Sequence, residues 1–533
     1  MASQINKGIG TLSKFIIRRD RIRIPLWLVG ISFFTFIVPI SFTELYGSQE
    51  QRDTLAQTME NPAMTAMLGP ADLSNYTIGV MTAHEMLLFT AMAVGLMSTL
   101  LVTRHTRGDE ENGRIEMIRS LRIGRLSYLN ATLLVYSLIN ILLALIVGFG
   151  LYGFQIESMD LEGSLLYGVT LGTTGLFFAG VTAFFGQLSE SSRGTIGLSI
   201  GFLLVAYIVR AVGDVGNEAL SWISPFGWIT KTQIYDENNW WPMALMLVVS
   251  MILFIVANYL NSNRDLEAGL LPSKPGRNSA SVFLQSTIGL SFRLQRTAIL
   301  SWAIGMFVLG VTYGSILGDI DSFFEGNDVL EQLFASEEGN SVTTQFVSMI
   351  IMVMAILATV SLVMTVNKLY GEEKKGRIEH ILGRAVSRTR LMGSFLVISI
   401  INGFVMISLA AIGLWLAGVS TMEEPYQFET IYGWGIIYYP AMLVMISVAV
   451  LLIGIRPKIT SINWMYIVYS FFVLYMGGLF QLPEWLSKLT PFGHIPQIQL
   501  EDMTWVPILI LVTIAIVLTM VGFIGYNRRD IGR

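Results

Sequence analysis

Apolar stretches of about 20 residues, the length a helix needs to cross a hydrocarbon core, recur along the whole of this chain. They fall at roughly 24–42, 80–103, 127–153, 164–186, 194–213, 241–260, 297–317, 343–366, 391–418, 431–454, 460–480 and 505–526, about twelve spans in all. A 533-residue chain that is 53% hydrophobic and only 14% charged reads as an all-α polytopic membrane protein. There is no cysteine, and the four histidines are scattered, so disulfides and thiolate chemistry are excluded and no metal site is expected. Arg18, Arg19, Arg21 and Arg23 lead straight into the first apolar stretch without a small-residue cleavage pattern, so no cleavable signal is expected either. Nothing in the chain resembles a nucleic-acid-binding module.

Lysine and arginine set the orientation, because short loops rich in them stay on the cytoplasmic side. One set of loops carries Lys14 to Arg23, Arg104 to Arg125, Arg264 to Arg296, Lys368 to Arg390, Arg456 with Lys458, and Arg528 with Arg529. The opposite set is acidic, with Glu44 to Asp72, Asp236 and Glu237, Asp319 to Glu338, and Glu423 to Glu429. Both termini are therefore expected in the cytoplasm of a bacterial cell whose membrane the chain crosses many times.

The chain also repeats itself. Gly108-Asp-Glu-Glu-Asn-Gly113-Arg-Ile-Glu116 returns as Gly371-Glu-Glu-Lys-Lys-Gly376-Arg-Ile-Glu379, 263 positions later, and the offset holds to Ile118/Ile381 and Arg125/Arg388. A repeat spaced by half a chain points to a duplicated fold. Trp27-Leu-Val-Gly30 resembles Trp302-Ala-Ile-Gly305, each after a basic amphipathic stretch (Leu12–Arg23, Phe292–Arg296) that is expected to lie along the membrane interface as an elbow. Ser224-Pro-Phe-Gly227 pairs with Thr490-Pro-Phe-Gly493, Trp240-Trp-Pro242 with Trp505-Val-Pro507, and Asn263-Arg-Asp265 with Arg528-Arg-Asp530. The expected organisation is a first six-span half over 1–262, a cytoplasmic linker over 263–291 and a second six-span half over 292–533, two parallel repeats forming a pseudo-dimer. The long outer segments Thr43–Ile78, Gly318–Val342 and Val215–Asn239 are expected to be partly helical, the last as a cap; an aromatic interface belt explains the tryptophans of that cap equally well.

Each repeated loop predicts a short helix opening at Gly113 or Gly376. Ile115/Ile118 and Ile378/Ile381 fall three apart on one face, and the acids and arginines fall on the other. The exposed set would include Glu110, Glu111, Arg114 and Glu116 in the first copy, and Glu372, Glu373, Arg377 and Glu379 in the second. A charged helix lying along the membrane suits docking to a soluble partner. The bland alternative is a solvated loop, and matched copies weigh against it.

These residues carry a family resemblance. A Glu-rich turn, then Gly-Arg-Ile-Glu, then Ser387-Arg388 (Gly124-Arg125 in the first copy) resembles the first cytoplasmic loop of ABC-2-type transporter permeases. The resemblance covers essentially the whole chain. The linker Arg264-Asp-Leu-Glu-Ala-Gly-Leu-Leu-Pro272-Ser-Lys-Pro-Gly276 is similar to that of fused twelve-span exporters of polyketide and polyether-ionophore antibiotics, tetronasin- and narasin-type. Glu267 stands where that pattern has Gly, and Gly124 where it has Ser. The resemblance implies that the two loops are coupling helices contacting an ABC ATPase subunit, so that Glu110, Glu111, Gly113, Arg114, Glu116, Glu372, Glu373, Gly376, Arg377 and Glu379 transmit force. It also implies export of a hydrophobic antibiotic and hence resistance. The chain has no Gly-x-x-x-x-Gly-Lys-Ser/Thr loop, so it holds no cofactor of its own; ATP and Mg are expected on a separate ATPase, two copies per permease, and the chain by itself is not expected to be an enzyme.

Charged groups inside spans are default candidates for a substrate pathway. His84 and Glu85 lie near the outer start of the second span, and Arg210 and Asp214 near the outer end of the fifth. A cation there could hold a drug carboxylate; equally, Arg210 could pair with Asp214 or Glu85. Rival readings are a proton-driven twelve-span secondary transporter, an antibiotic sensor, and a membrane enzyme acting on lipid-linked substrates.

Overall fold

The computed structural model describes residues 7–60, 62–265, 268–271, 278–318, 342–422, 424–477, 483–496 and 505–530. The described residues are helical, with no strand among them. Eleven helices among them are long and apolar enough to cross a membrane. The remaining expected span, at 460–480, is described as a helix over Ile462–Met476, and its outer end lies outside the described residues. The acidic segment Asp319 to Glu338, Glu423, and the linker residues Glu267 and Pro272 to Gly276 also lie outside them. The chain divides into two compact units, Met1–Gly276 and Arg277–Arg533.

In the first unit a short helix, Ile9–Arg19, precedes the span Arg23–Leu45. Helices Gln49–Met59 and Pro62–Leu68 fill the long outer segment, as expected. The spans that follow are Ile78–Arg104, Ser127–Gly153, Leu161–Leu188, Ser192–Gly216 and Trp241–Asn263. Thr77, Asp160 and Ser191 start three of them by accepting hydrogen bonds from backbone N–H groups of the first turn, which satisfies donors that a helix start leaves orphaned. Leu161–Leu188 is the hub, with 83% of its apolar window buried against 22% for Trp241–Asn263. A side chain at Gly168 would collide with the Ala144 carbonyl of the third span. Backbones come this close in a membrane because lipid gives helices no hydrophobic reason to associate, leaving van der Waals contact between small residues to do so.

The second unit contains Thr287–Ile316, Val342–Lys374, Arg388–Thr421, Phe428–Ile436 with Tyr439–Ile455, Ile462–Met476 and Trp505–Arg528. It departs from its sequence expectation twice. The expected span at 431–454 is two helices, because Pro440 near the start of the second has no N–H to donate and its ring crowds the preceding turn. The basic stretch Phe292–Arg296 is no separate elbow but part of one 30-residue helix. In the first unit the chain breaks after Arg19, where the Asp20 carboxylate is drawn off to His105 and Tyr136. Counting back from the paired tryptophans, Gln295 occupies the position of Asp20, and it donates to the Ser291 carbonyl one turn back in its own helix.

Short helices stand where the outer caps are expected: Glu218–Ile223 and Pro225–Thr230 in the first unit, Glu484–Ser487 and Pro491–His494 in the second. Part of the expected linker packs against the first unit. Leu270 and Leu271 donate backbone hydrogen bonds to the Gln187 and Leu188 carbonyls at the end of the fourth span.

Candidate functional site

Both repeated loops fold as their glycines dictate. Gly113 and Gly376 sit at φ of +69° and +70°, a left-handed conformation that costs any residue with a Cβ. Helices Arg114–Arg119 and Arg377–Leu382 start immediately after them. Ile115 and Ile378 are buried in the core of their own unit, and Ile118 and Ile381 pack against it.

The acids behave differently from expectation. Glu110, Glu372 and Glu373 are buried, at 4%, 4% and 9% exposure, so they are not available to a docking partner. Glu110 accepts a two-pronged hydrogen bond from the Arg264 guanidinium, 2.8 Å on each prong. Glu373 receives the same from Arg529 at 2.6 and 2.5 Å. Arg264 and Arg529 are the arginines of the matched Asn-Arg-Asp and Arg-Arg-Asp sequences at the ends of the sixth and twelfth spans. The clamp is reinforced identically in the two units: Arg125 donates to the Arg264 carbonyl at 2.9 Å, and Arg388 to the Arg529 carbonyl at 2.7 Å. Asp109 with Arg114 at 2.9 Å and Glu372 with Arg377 at 3.1 Å close each turn. Planar two-pronged pairs fix orientation as well as distance, so the helical turn just before each loop helix is tied to the end of the last span of its unit, and the Asp109–Arg114 and Glu372–Arg377 pairs link the loop helix to that turn.

The outward face keeps Arg114, Glu116 and Met117 in the first copy, with Leu121 beyond it, and Arg377, Glu379 and His380 in the second. Met117 is 72% and Leu121 62% exposed, an apolar pair within a charged rim. Glu111 reaches the start of the fifth span, accepting from the Ser192 hydroxyl at 2.6 Å.

The first unit adds a buried network with no counterpart among the described residues of the second. Asp20 accepts from His105 and Tyr136 at 2.7 Å each, and Asp109 from Arg19 at 2.5 Å and Tyr128 at 2.6 Å. Burial raises the Asp20 pKa, but the hydrogen bonds from His105 and Tyr136 outweigh it and hold the carboxyl below its ordinary range.

On the opposite face Arg210, Asp214 and His84 hold the outer loop and the cap. Arg210 is fully buried; it donates to the Met67 carbonyl at 3.1 Å, pairs with Asp214 at 3.2 Å and lies 4.6 Å over the Tyr207 ring. Asp214 in turn accepts from Ser221 of the cap at 2.5 Å. His84 bridges the Tyr76 hydroxyl and the Gly69 carbonyl at 2.9 Å each. Arg210 and His84 thus grip one segment, residues 65–69, and bind the outer loop to the spans. Glu85 is not part of this grip. Sequence reasoning matched the Arg264 and Arg529 motifs but missed their partners.

Known proteins give the context. The family described as "Multidrug efflux system permease Rv1217c, C-terminal domain" matches residues 12–260 and 284–527. This chain belongs to that family. It is also 32% identical over 530 residues to the "Multidrug efflux system permease protein Rv1217c" of Mycobacterium tuberculosis (strain ATCC 25618 / H37Rv), across 98% of this chain and 95% of the relative. With its eleven candidate spans, the chain is a multi-pass membrane permease of the efflux type.

Proposed function

We propose that this permease is the membrane subunit of an ATP-driven exporter that extrudes hydrophobic antibiotics of the polyketide or polyether-ionophore kind. A separate ATPase holds ATP and Mg and docks, in two copies per chain, on the helices Arg114–Arg119 and Arg377–Leu382. The termini and both loops face the cytoplasm. The observation that carries this reading is the recurrence of the same clamp: a short helix with an exposed charged face follows a turn that Glu110–Arg264 or Glu373–Arg529 ties to the end of a span. A rigid joint is what a docking surface needs if movement of a soluble subunit is to reach the membrane. Arg114, Glu116, Met117, Arg377 and Glu379 would touch the ATPase, whereas the buried Glu110, Glu372 and Glu373 would transmit its push. Coupling further requires that the ATP-bound ATPase favour one permease state over the other, since a partner binding both equally shifts nothing. The substrate class rests on the resemblance of the loop and linker sequences to antibiotic exporters.

A photoreactive side chain placed at Met117 or at His380, in cells producing the ATPase, should capture that ATPase at either position. The same group at Met251, on the exposed face of the sixth span, should not. Capture at neither loop position would overturn the docking assignment.

A further inference from the structure

A pocket opens beneath the first loop helix, and two of its arginines, Arg107 and Arg119, have no counterpart in the second copy. It is lined by Arg107, Arg119, Arg125 and Arg264 against one carboxylate, Glu110, with Ile115, Ile118, Ile123 and Leu129 as its apolar wall. Its floor is made by the ends of spans, Leu129 of the third, Gly186 and Gln187 of the fourth, and Asn261 of the sixth, so it lies where three candidate membrane spans end. Glu110 is already engaged by both prongs of Arg264 and lies 3.0 Å from Arg107. Arg119 is half-buried and makes no hydrogen bond or ion pair among the described residues. Burial lowers its pKa, and the like charges of Arg125 and Arg264 lower it further against the pull of Glu110. At the matching positions the second unit has Tyr370 for Arg107 and Leu382 for Arg119.

We propose that this pocket binds the phosphate headgroup of an acidic phospholipid from the adjoining leaflet, with Arg119 as the principal unshared cation. An excess of guanidinium over carboxylate calls for an anion, and the isoleucine wall beside it suits a molecule whose anionic head continues into apolar chains. Basic pockets at the ends of spans hold acidic headgroups in this way. The lipid would wedge the first loop helix against the spans and make that loop, and not the second, responsive to membrane composition. The proposal rests on the membrane placement of the chain and not on ATP coupling.

The test is native mass spectrometry of the detergent-purified full chain without ATPase, titrated with phosphatidylglycerol, phosphatidylcholine or inorganic phosphate. The wild type should retain phosphatidylglycerol over phosphatidylcholine. R119L should lose about fivefold in phosphatidylglycerol affinity, the effect of about one arginine near a headgroup. R119K should keep most of it, and R122L, which removes an exposed charge from the same loop, should keep all of it. R119L binding like wild type, or R122L weakening binding as much as R119L, would reject the site. Inorganic phosphate binding as well as phosphatidylglycerol, with no lipid preference, would make it a site for free anions and reject the lipid. Because no ATPase is present, none of these failures bears on the proposed coupling.

Discussion

Glu110→Gln is expected to lower the stability of the first unit by about 3 kcal/mol, read as a fall in the thermal unfolding midpoint of the detergent-solubilised chain. Arg264 and Arg107 are buried at 8% and 1% exposure, and removing the carboxylate leaves two guanidiniums facing one another. The matched Glu373→Gln should cost less, about 2 kcal/mol, because it leaves one arginine, Arg529, whose side chain is 14% exposed and can turn toward water. Adding Arg264→Gln to Glu110→Gln should recover part of the loss by removing one of the stranded charges. Glu110→Gln unfolding at the wild-type temperature would show that the clamp carries no weight. The expectation also redirects functional mutagenesis: reversing charge at Glu110 damages the joint and at Arg114 breaks its pair with buried Asp109, whereas reversing it at Glu116 alters only the exposed face.

Arg210→Met should have an effect of similar size, about 3–5 kcal/mol, on the opposite face. It leaves Asp214 buried without its cation and removes one of the two side-chain donors to the Met67 carbonyl. The outer segment is then held by His84 and by Tyr207, whose hydroxyl donates to the same Met67 carbonyl at 2.6 Å. The specific sign of release is faster cleavage by trypsin after Arg52, the single basic residue between Thr43 and Ile78. Arg210→Met with Asp214→Asn should restore midpoint stability in part but not protease resistance, since neither change replaces the bond to Met67. Wild-type cleavage kinetics in Arg210→Met would show that Arg210 does not hold the loop.

The spans were legible because nothing but an apolar helix fits a run such as Ile508–Met520. Gly113 and Gly376 announced the left-handed turn that opens each loop helix, and the spacing of Ile115/Ile118 and Ile378/Ile381 announced its buried face. The burial of the acids was not legible. Glu110 and Arg264 are 154 positions apart, and no helical period connects the end of one span with the loop between two others. The one available signal was the pairing of Asn263-Arg-Asp265 with Arg528-Arg-Asp530, which shows that both arginines recur but not what they hold. The single helix at Phe292–Arg296 was hidden for a related reason. Its basic pattern matches the first elbow, while the break depends on Asp20 finding His105 and Tyr136, residues far along the chain. The split at 431–454 was missed although Pro440, which cannot continue a helix from the turn before it, was the available signal. Arg210 was visible as a charge in a span, and its pairing with Asp214 one turn on, at an i, i+4 spacing, was one of the readings the sequence left open.

The central proposal, that ATP hydrolysed by a docked ATPase drives export, is tested most directly in sealed proteoliposomes. The permease would be reconstituted with its co-purified ATPase, and uptake of a fluorescent hydrophobic antibiotic followed after adding ATP and Mg outside, with and without a proton gradient. The account predicts two ATPase copies per chain and accumulation that requires ATP and survives collapse of the gradient. Accumulation by the permease alone, driven by the proton gradient and indifferent to ATP, would contradict it.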